Sequence, residues 1–179
     1  GMMAEGGGFA GDLVFAIPES LQESLMARLD RLAAVKEVAQ VAAAIGRTFT
    51  PGVLARVQRR PGEEIAGALD KLLDADLIVP VGRFDTEPAY RFRHALVQDA
   101  AYQSMLRSAR ALWHRRIADV LQEEMPEVAA AEPELMGHHL VQAGDPATAE
   151  GHWLQAAKQA MGRSANVEAI DHLRQALDC

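Results

Sequence analysis

LIVPVGRFDTEPAYRFRHALVQDAAYQSML, residues 77–106, decides how the rest of the chain is read. LIVPV is a short, β-branched apolar run of strand length. Gly82 to Pro88 is rich in turn formers, and AYRFR alternates apolar and charged side chains as a returning strand does. At His94 the period changes, and HALVQDAAYQSML reads as one helix.

Upstream of this hairpin the spacing is helical. In IPESLQESLMARLDRL, Pro18 suits a helix start, Ser20 with Glu23 makes a capping box, and Leu21, Leu25, Leu29 and Leu32 form one stripe. VKEVAQVAAAIG predicts a second helix that stops at Gly46. RTFTPGVLARV predicts a short turn and a third helix from about Pro51. Ile65, Leu69, Leu72 and Leu73 mark another helix, ending near Ala75. Three helices followed by a β-hairpin is the order of a winged helix, placed here at 33–105 with the 18–32 helix packed on it. The chain accordingly divides into a flexible Gly-rich lead-in (1–16), a winged-helix domain with its N-terminal helix (17–106) and a helical region (107–179).

The helical region predicts SARALWHRRIADVLQEEM and PELMGHHLVQAG as helices separated by the turn MPEVAAAEPE, then helices at about 146–162 and 164–178. Taking Trp153 as position four of a tetratricopeptide unit of about 34 residues puts Ala156, Ala157, Ala160, Ala169, Leu173 and Ala176 at the later signature positions. Small residues let antiparallel helices approach closely, while Trp153 and Leu173 would fill the gap between hairpins. One repeat cannot bury both its faces, so the array is expected to continue in a longer protein. The predicted class is therefore mainly α: a winged helix followed by antiparallel tetratricopeptide-like hairpins.

Composition agrees with this class. Apolar residues make up 49% of the chain and aromatics only 5%, a balance suited to close-packed helices. The only cysteine is Cys179, which excludes an intrachain disulfide. No run reaches membrane-spanning length and no signal peptide is recognisable, so the cytoplasm is the expected compartment. The net charge of -7 speaks against a dedicated nucleic-acid binder.

Five blocks, IPESLQESLMARLDRL, AAAIGRTFT, YRFRHALVQDAAYQSML, LWHRRIADVL and SANVEAIDHLRQAL, occur in that order. Together they resemble the winged-helix and helical-repeat region of bacterial STAND-type signal-transduction ATPases, the kind fused to class III adenylate/guanylate cyclase or LuxR-type domains. The resemblance covers nearly all of 17–178 and is most specific at RFRHALVQDAAY. It implies that His94, at the strand-to-helix join, reaches the β-phosphate of ADP bound to an upstream ATPase domain and helps lock a closed state. The acid that follows this histidine in many relatives is Ala95 here. It also implies ADP or ATP in the longer protein and no cofactor in this stretch. The partners would be the ATPase domain and a protein or inducer held by the repeats.

The residues themselves are compatible with phosphate sensing. A helix N-terminus carries free N–H donors and partial positive charge. Arg91 and Arg93 alternate with Tyr90 and Phe92, so both arginines should share one face beside His94. The stretch has no GxxxxGK[ST] loop and no Ser/His/Asp or Cys/His set in a recognisable nucleophile context, and no catalytic residue is assigned. DNA reading is the competing class, but 61–76 carries Glu63, Glu64, Asp70, Asp74 and Asp76 against Lys71 alone.

Arg107, Arg110, Arg115 and Arg116, with His114, suggest a basic interdomain face. His138 and His139 diverge by about 100° on one helix, so they read as core or surface histidines and no metal site is expected. Tyr102 and Leu106 read as a core pair, and Asp99 as the partner of an arginine. A monomer is the expected state, with the last helix available for a weak dimer contact.

Overall fold

A computed structural model describes Ala27, Leu29 and residues 31–84 and 87–179. The lead-in, the Ser20–Glu23 capping box and Leu21 and Leu25 lie outside the described residues. Leu29 is buried, as its stripe predicts.

Helix α1 (Ala33–Ile45) is the central element. Its Val38, Val41 and Ala42 have no exposed surface, because helices pack on it from several sides. It ends at Gly46, whose φ of 145° is open to glycine and strained for other residues. Next comes β1 (Thr48–Phe49), where the sequence predicts a turn. The difference is tertiary: two residues have no strand signal of their own, and they are extended because they pair with β3. Thr50 then caps α2 (Pro51–Gln58), its hydroxyl accepting the Val53 amide at 3.4 Å, with Pro51 in the first turn where its missing N–H costs nothing.

Helix α3 (Gly62–Asp74) buries Ile65, Ala68, Leu69 and Leu72 on one stripe and turns its acids to solvent. Strands β2 (Ile78–Phe84) and β3 (Glu87–Phe92) follow as an antiparallel pair. The predicted turn from Gly82 to Pro88 is mostly strand, because a register shift between Pro80 and Gly82 absorbs the glycine inside the ladder. The sheet order is β1-β3-β2. Phe92 lies 5.5 Å from Phe49 between ring centroids, joining the sheet to the core.

Helix α4 (Ala95–Gln103) is shorter than the predicted run to Leu106. Ser104 turns its hydroxyl back onto the Ala101 carbonyl and receives the Gln40 amide, and Leu106 is left 77% exposed rather than paired with Tyr102. Helix α5 (Arg107–Glu124) packs on α1 and α2. The stretch predicted as a turn, 125–134, contains the short helix α6 (Pro126–Ala131), seated by buried Ala129. Helices α7 (Pro133–Gln142), α8 (Pro146–Gly162) and α9 (Asn166–Leu177) then stack in sequence order. The fold is mainly helical with one small antiparallel sheet, and one buried apolar cluster runs from Leu29 to Ala176. No helix among the described residues is long and apolar enough to cross a membrane.

The small residues of α8 act as the sequence predicts. Ala156, Ala157 and Ala160 are buried, and so is Trp153, its ring stacked 5.6 Å from His172. Leu173 on α9 is 38% exposed, and Val167 and Ile170 of the same helix are 75% and 50% exposed. Gly137 on α7 gives the Trp153 indole its room, since a Cβ there would sit 2.7 Å from Cε2. Gly137→Ala gains about 0.5–1 kcal/mol of helix propensity, but the collision with a ring held between α7 and α9 costs more. The expected net loss is about 1–2 kcal/mol, read as a lower urea midpoint at unchanged slope.

Candidate functional site

The β1–β3 register sets Thr48 opposite Arg91 and so carries Arg47 to the same end of the sheet as Arg91 and Arg93. These three arginines, with Phe92, Ala95 and Gln98, line a cavity of about 290 Å³ at the start of α4. Arg93 is paired with Asp76. Arg47 and Arg91 are exposed and form no ion pair among the described residues. His94 is the N-cap of α4, exposed, and its side chain makes no capping bond. It stands between two wall residues of the cavity without itself forming the wall. The amides of Ala95 and Leu96 precede the first helical hydrogen bond, which Val97 makes to the His94 carbonyl at 3.0 Å, so the start of α4 keeps its partial positive charge at this corner. Ala95 in the first turn leaves the cavity without a carboxylate on its wall. Such a corner can hold an anion of phosphate size.

The residues expected to make one basic face are dispersed. Arg107 is exposed. Arg110 lies 5.2 Å over the Tyr102 ring with its Nε buried and unbonded. Arg115 donates to Asp145 at 2.9 Å, and Arg116 stacks 4.9 Å over Trp113. The bonds from Arg115 and Thr148 hold the Asp145 carboxyl below its usual range. Of the five acids that argue against DNA reading, Glu63, Glu64, Asp70 and Asp74 are exposed along α3. Asp99 is exposed and Arg93 takes Asp76 instead.

His114 is not part of a basic face; it is 1% exposed. Its Nδ1 lies 2.8 Å from Nδ1 of His139, also 1% exposed, and its Nε2 lies 2.9 Å from the Tyr102 hydroxyl. Tyr102 in turn donates to Gln142 Oε1 at 3.4 Å. This polar seam ties α4, α5 and α7 together. Exposed His138 completes a group of three imidazoles, with one nitrogen from each within 4.8 Å of the others. The divergence of His138 and His139 on one helix argued against joint action, but it did not count a third ring from α5. The burial of His114, with apolar Trp113, Ile117 and Ala118 around it on α5, was the available signal.

A larger, mostly apolar cavity of about 590 Å³ lies between α2 with β1 on one side and α5–α7 on the other. Phe49, Val53, Ile117, Leu121 and Leu135 line it, with Arg56 and Glu132 among its polar groups.

An uncharacterized protein of Rhizobium meliloti (strain 1021), R02095, is 32% identical over 161 residues, which cover 89% of this chain and 15% of that protein. The chain thus spans about 15% of the length of the curated relative it matches. No protein-family model matches the chain, and no solved structure matches it.

Burial pushes His114 down to about 4, with His138 and Arg110 adding to it. Burial likewise pushes His139 down to about 3, with His114 and His138 adding to it. The unfolded rings titrate near 6.5, so below that pH the unfolded chain takes up protons that the folded chain refuses. Stability should be full above pH 6.5 and fall as the pH drops from there toward 4, by up to about 1.4 kcal/mol per pH unit for each ring. Urea midpoints between pH 7.5 and 4.5, in buffer containing EDTA, check this. A His139→Gln variant should flatten the curve.

Proposed function

We propose that this chain is a non-catalytic regulatory module of a STAND-type signalling ATPase. Its first half, a winged helix, would sense the phosphates of a nucleotide bound by a neighbouring ATPase domain, and its helical second half would hold a protein partner or an effector. The observation that carries the reading is the convergence of Arg47, Arg91 and Arg93 on the start of α4, next to His94. Arg47 and Arg91 pair with no carboxylate among the described residues, so their charge is available to an anion that another domain presents.

The element order α1–β1–α2–α3–β2–β3, with β1 added to the hairpin edge, supports the winged-helix assignment. The stacked helices α7–α9, with alanines buried along α8 and Trp153 between neighbours, support tetratricopeptide-like packing. The small share of the R02095 length that this chain matches is in keeping with a module within a larger protein. The cavity of about 590 Å³ between the two halves has the size and apolar lining of a small-molecule site, and it offers a place where an effector would bias their arrangement. The exposed acids of α3 disfavour the DNA-reading alternative.

A scaffold without a nucleotide role is the second reading, favoured by Val167, Ile170 and Leu177 of α9, exposed at 75%, 50% and 86%. Nucleotide affinity separates the two. In the protein carrying its ATPase domain, Arg91→Ala and His94→Ala should each weaken ADP binding by roughly 10–100-fold, the loss of one charge-assisted hydrogen bond. Unchanged affinity in both variants would leave the scaffold. Labelled duplex DNA at low salt should show no binding to the chain.

A further inference from the structure

We propose that His114, His138 and His139 form a binding site for one divalent transition-metal ion of the zinc class, clamping α5 to α7. The three ring centroids make a nearly equilateral triangle: 5.7 Å from His114 to His138, 5.0 Å from His114 to His139 and 5.4 Å from His138 to His139. The centre of such a triangle is about 3.1 Å from each centroid, which matches a metal–nitrogen bond of about 2.0–2.1 Å plus an imidazole radius of about 1.1 Å. One nitrogen of each ring already lies within 4.8 Å of the others. A tetrahedral ion needs them roughly 3.3 Å apart, a change within reach of ring rotation. The facing Nδ1 atoms of His114 and His139 would open from 2.8 Å to that separation, with His139 shifting its Nδ1 proton to Nε2, so that two metal bonds replace one hydrogen bond.

The surroundings prepare one ligand for this role. The Tyr102 hydroxyl lies 2.9 Å from His114 Nε2 and 3.4 Å from Gln142 Oε1, so with its proton turned toward Gln142 its oxygen accepts from His114 Nε2–H. That bond fixes the tautomer whose Nδ1 lone pair faces the other two rings, the outer-shell arrangement that metal-binding histidines use. The donor set also selects the ion. Three imidazoles with no thiolate or carboxylate in the group suit zinc and its first-row neighbours and exclude calcium and magnesium. Exposed His138 gives the ion a way in and leaves room for water as a fourth ligand. The site draws on α5 and α7 directly and on α4 through Tyr102, so its occupancy would stiffen the junction between the sheet-bearing half and the helical tail.

The test uses the full chain, untagged and stripped with EDTA, titrated with Zn²⁺ alone by calorimetry at pH 7.5, with Co²⁺ as a visible-absorption probe. One ion per chain is expected, with a Co²⁺ spectrum of tetrahedral intensity and a higher melting temperature in Zn²⁺. His138→Ala alters only an exposed ring, so its metal-free melting temperature should match the unaltered chain, while its Zn²⁺ affinity falls more than tenfold. Tyr102→Phe should weaken binding by roughly 10–100-fold, as loss of outer-shell partners does. Failure to bind a stoichiometric ion, or equal affinity in the His138→Ala chain, would overturn the proposal and leave the triad as a hydrogen-bonded seam.

Discussion

The structure depends on the burial of the apolar residues of α1. Val38, Val41 and Ala42 lose all contact with water because α2, α3, α4 and α5 pack around this one helix. Burying a valine side chain contributes about 1.5–3 kcal/mol, and the alanines between the valines keep the neighbouring backbones close. Gly46 and Thr50 then set where the chain leaves the helix and where α2 begins. The two-residue strand between them pairs with β3 and, through Phe49, couples the sheet to the same core.

That packing also arranges the charges. In a chain with a net charge of -7, Glu63, Glu64, Asp70 and Asp74 are spread along the exposed side of α3, while the β1–β3 register gathers Arg47, Arg91 and Arg93 at one end of the sheet. A local basic corner on an acidic protein can attract an anion over a Debye length of about 8–10 Å, whatever the overall sign. The arginines of α5 go the other way. Arg110 and Arg116 lie over aromatic rings and Arg115 pairs with Asp145, so they brace helices rather than form one surface.

The seam formed by Tyr102, His114, His139 and Gln142 is the other polar feature set into the apolar packing. Neutral imidazoles are tolerated there because each buried ring has a partner. The facing Nδ1 atoms hold together only while at least one keeps its lone pair, so the seam specifies one arrangement of α4, α5 and α7.

The helices were legible from local periodicity. Ile65, Leu69 and Leu72 on α3 and Ala156, Ala157 and Ala160 on α8 lie on the buried stripes that their spacing predicts. Gly46 as a stop and Pro51 as a start were equally local, since each depends on its own backbone angles. Arg91, Arg93 and His94 were placed at the strand-to-helix join for the same reason. What escaped depends on partners distant in sequence. Thr48 and Phe49 are a strand because of Tyr90 and Arg91, Arg47 joins the basic corner through that pairing, and His114 meets His139 across two helices. By itself, then, the sequence determined the periodic elements and their caps, because backbone preference and amphipathic spacing act within a few residues. Only the tertiary structure decided which side chains meet, because register and helix packing bring together residues whose spacing along the chain carries no signal of contact.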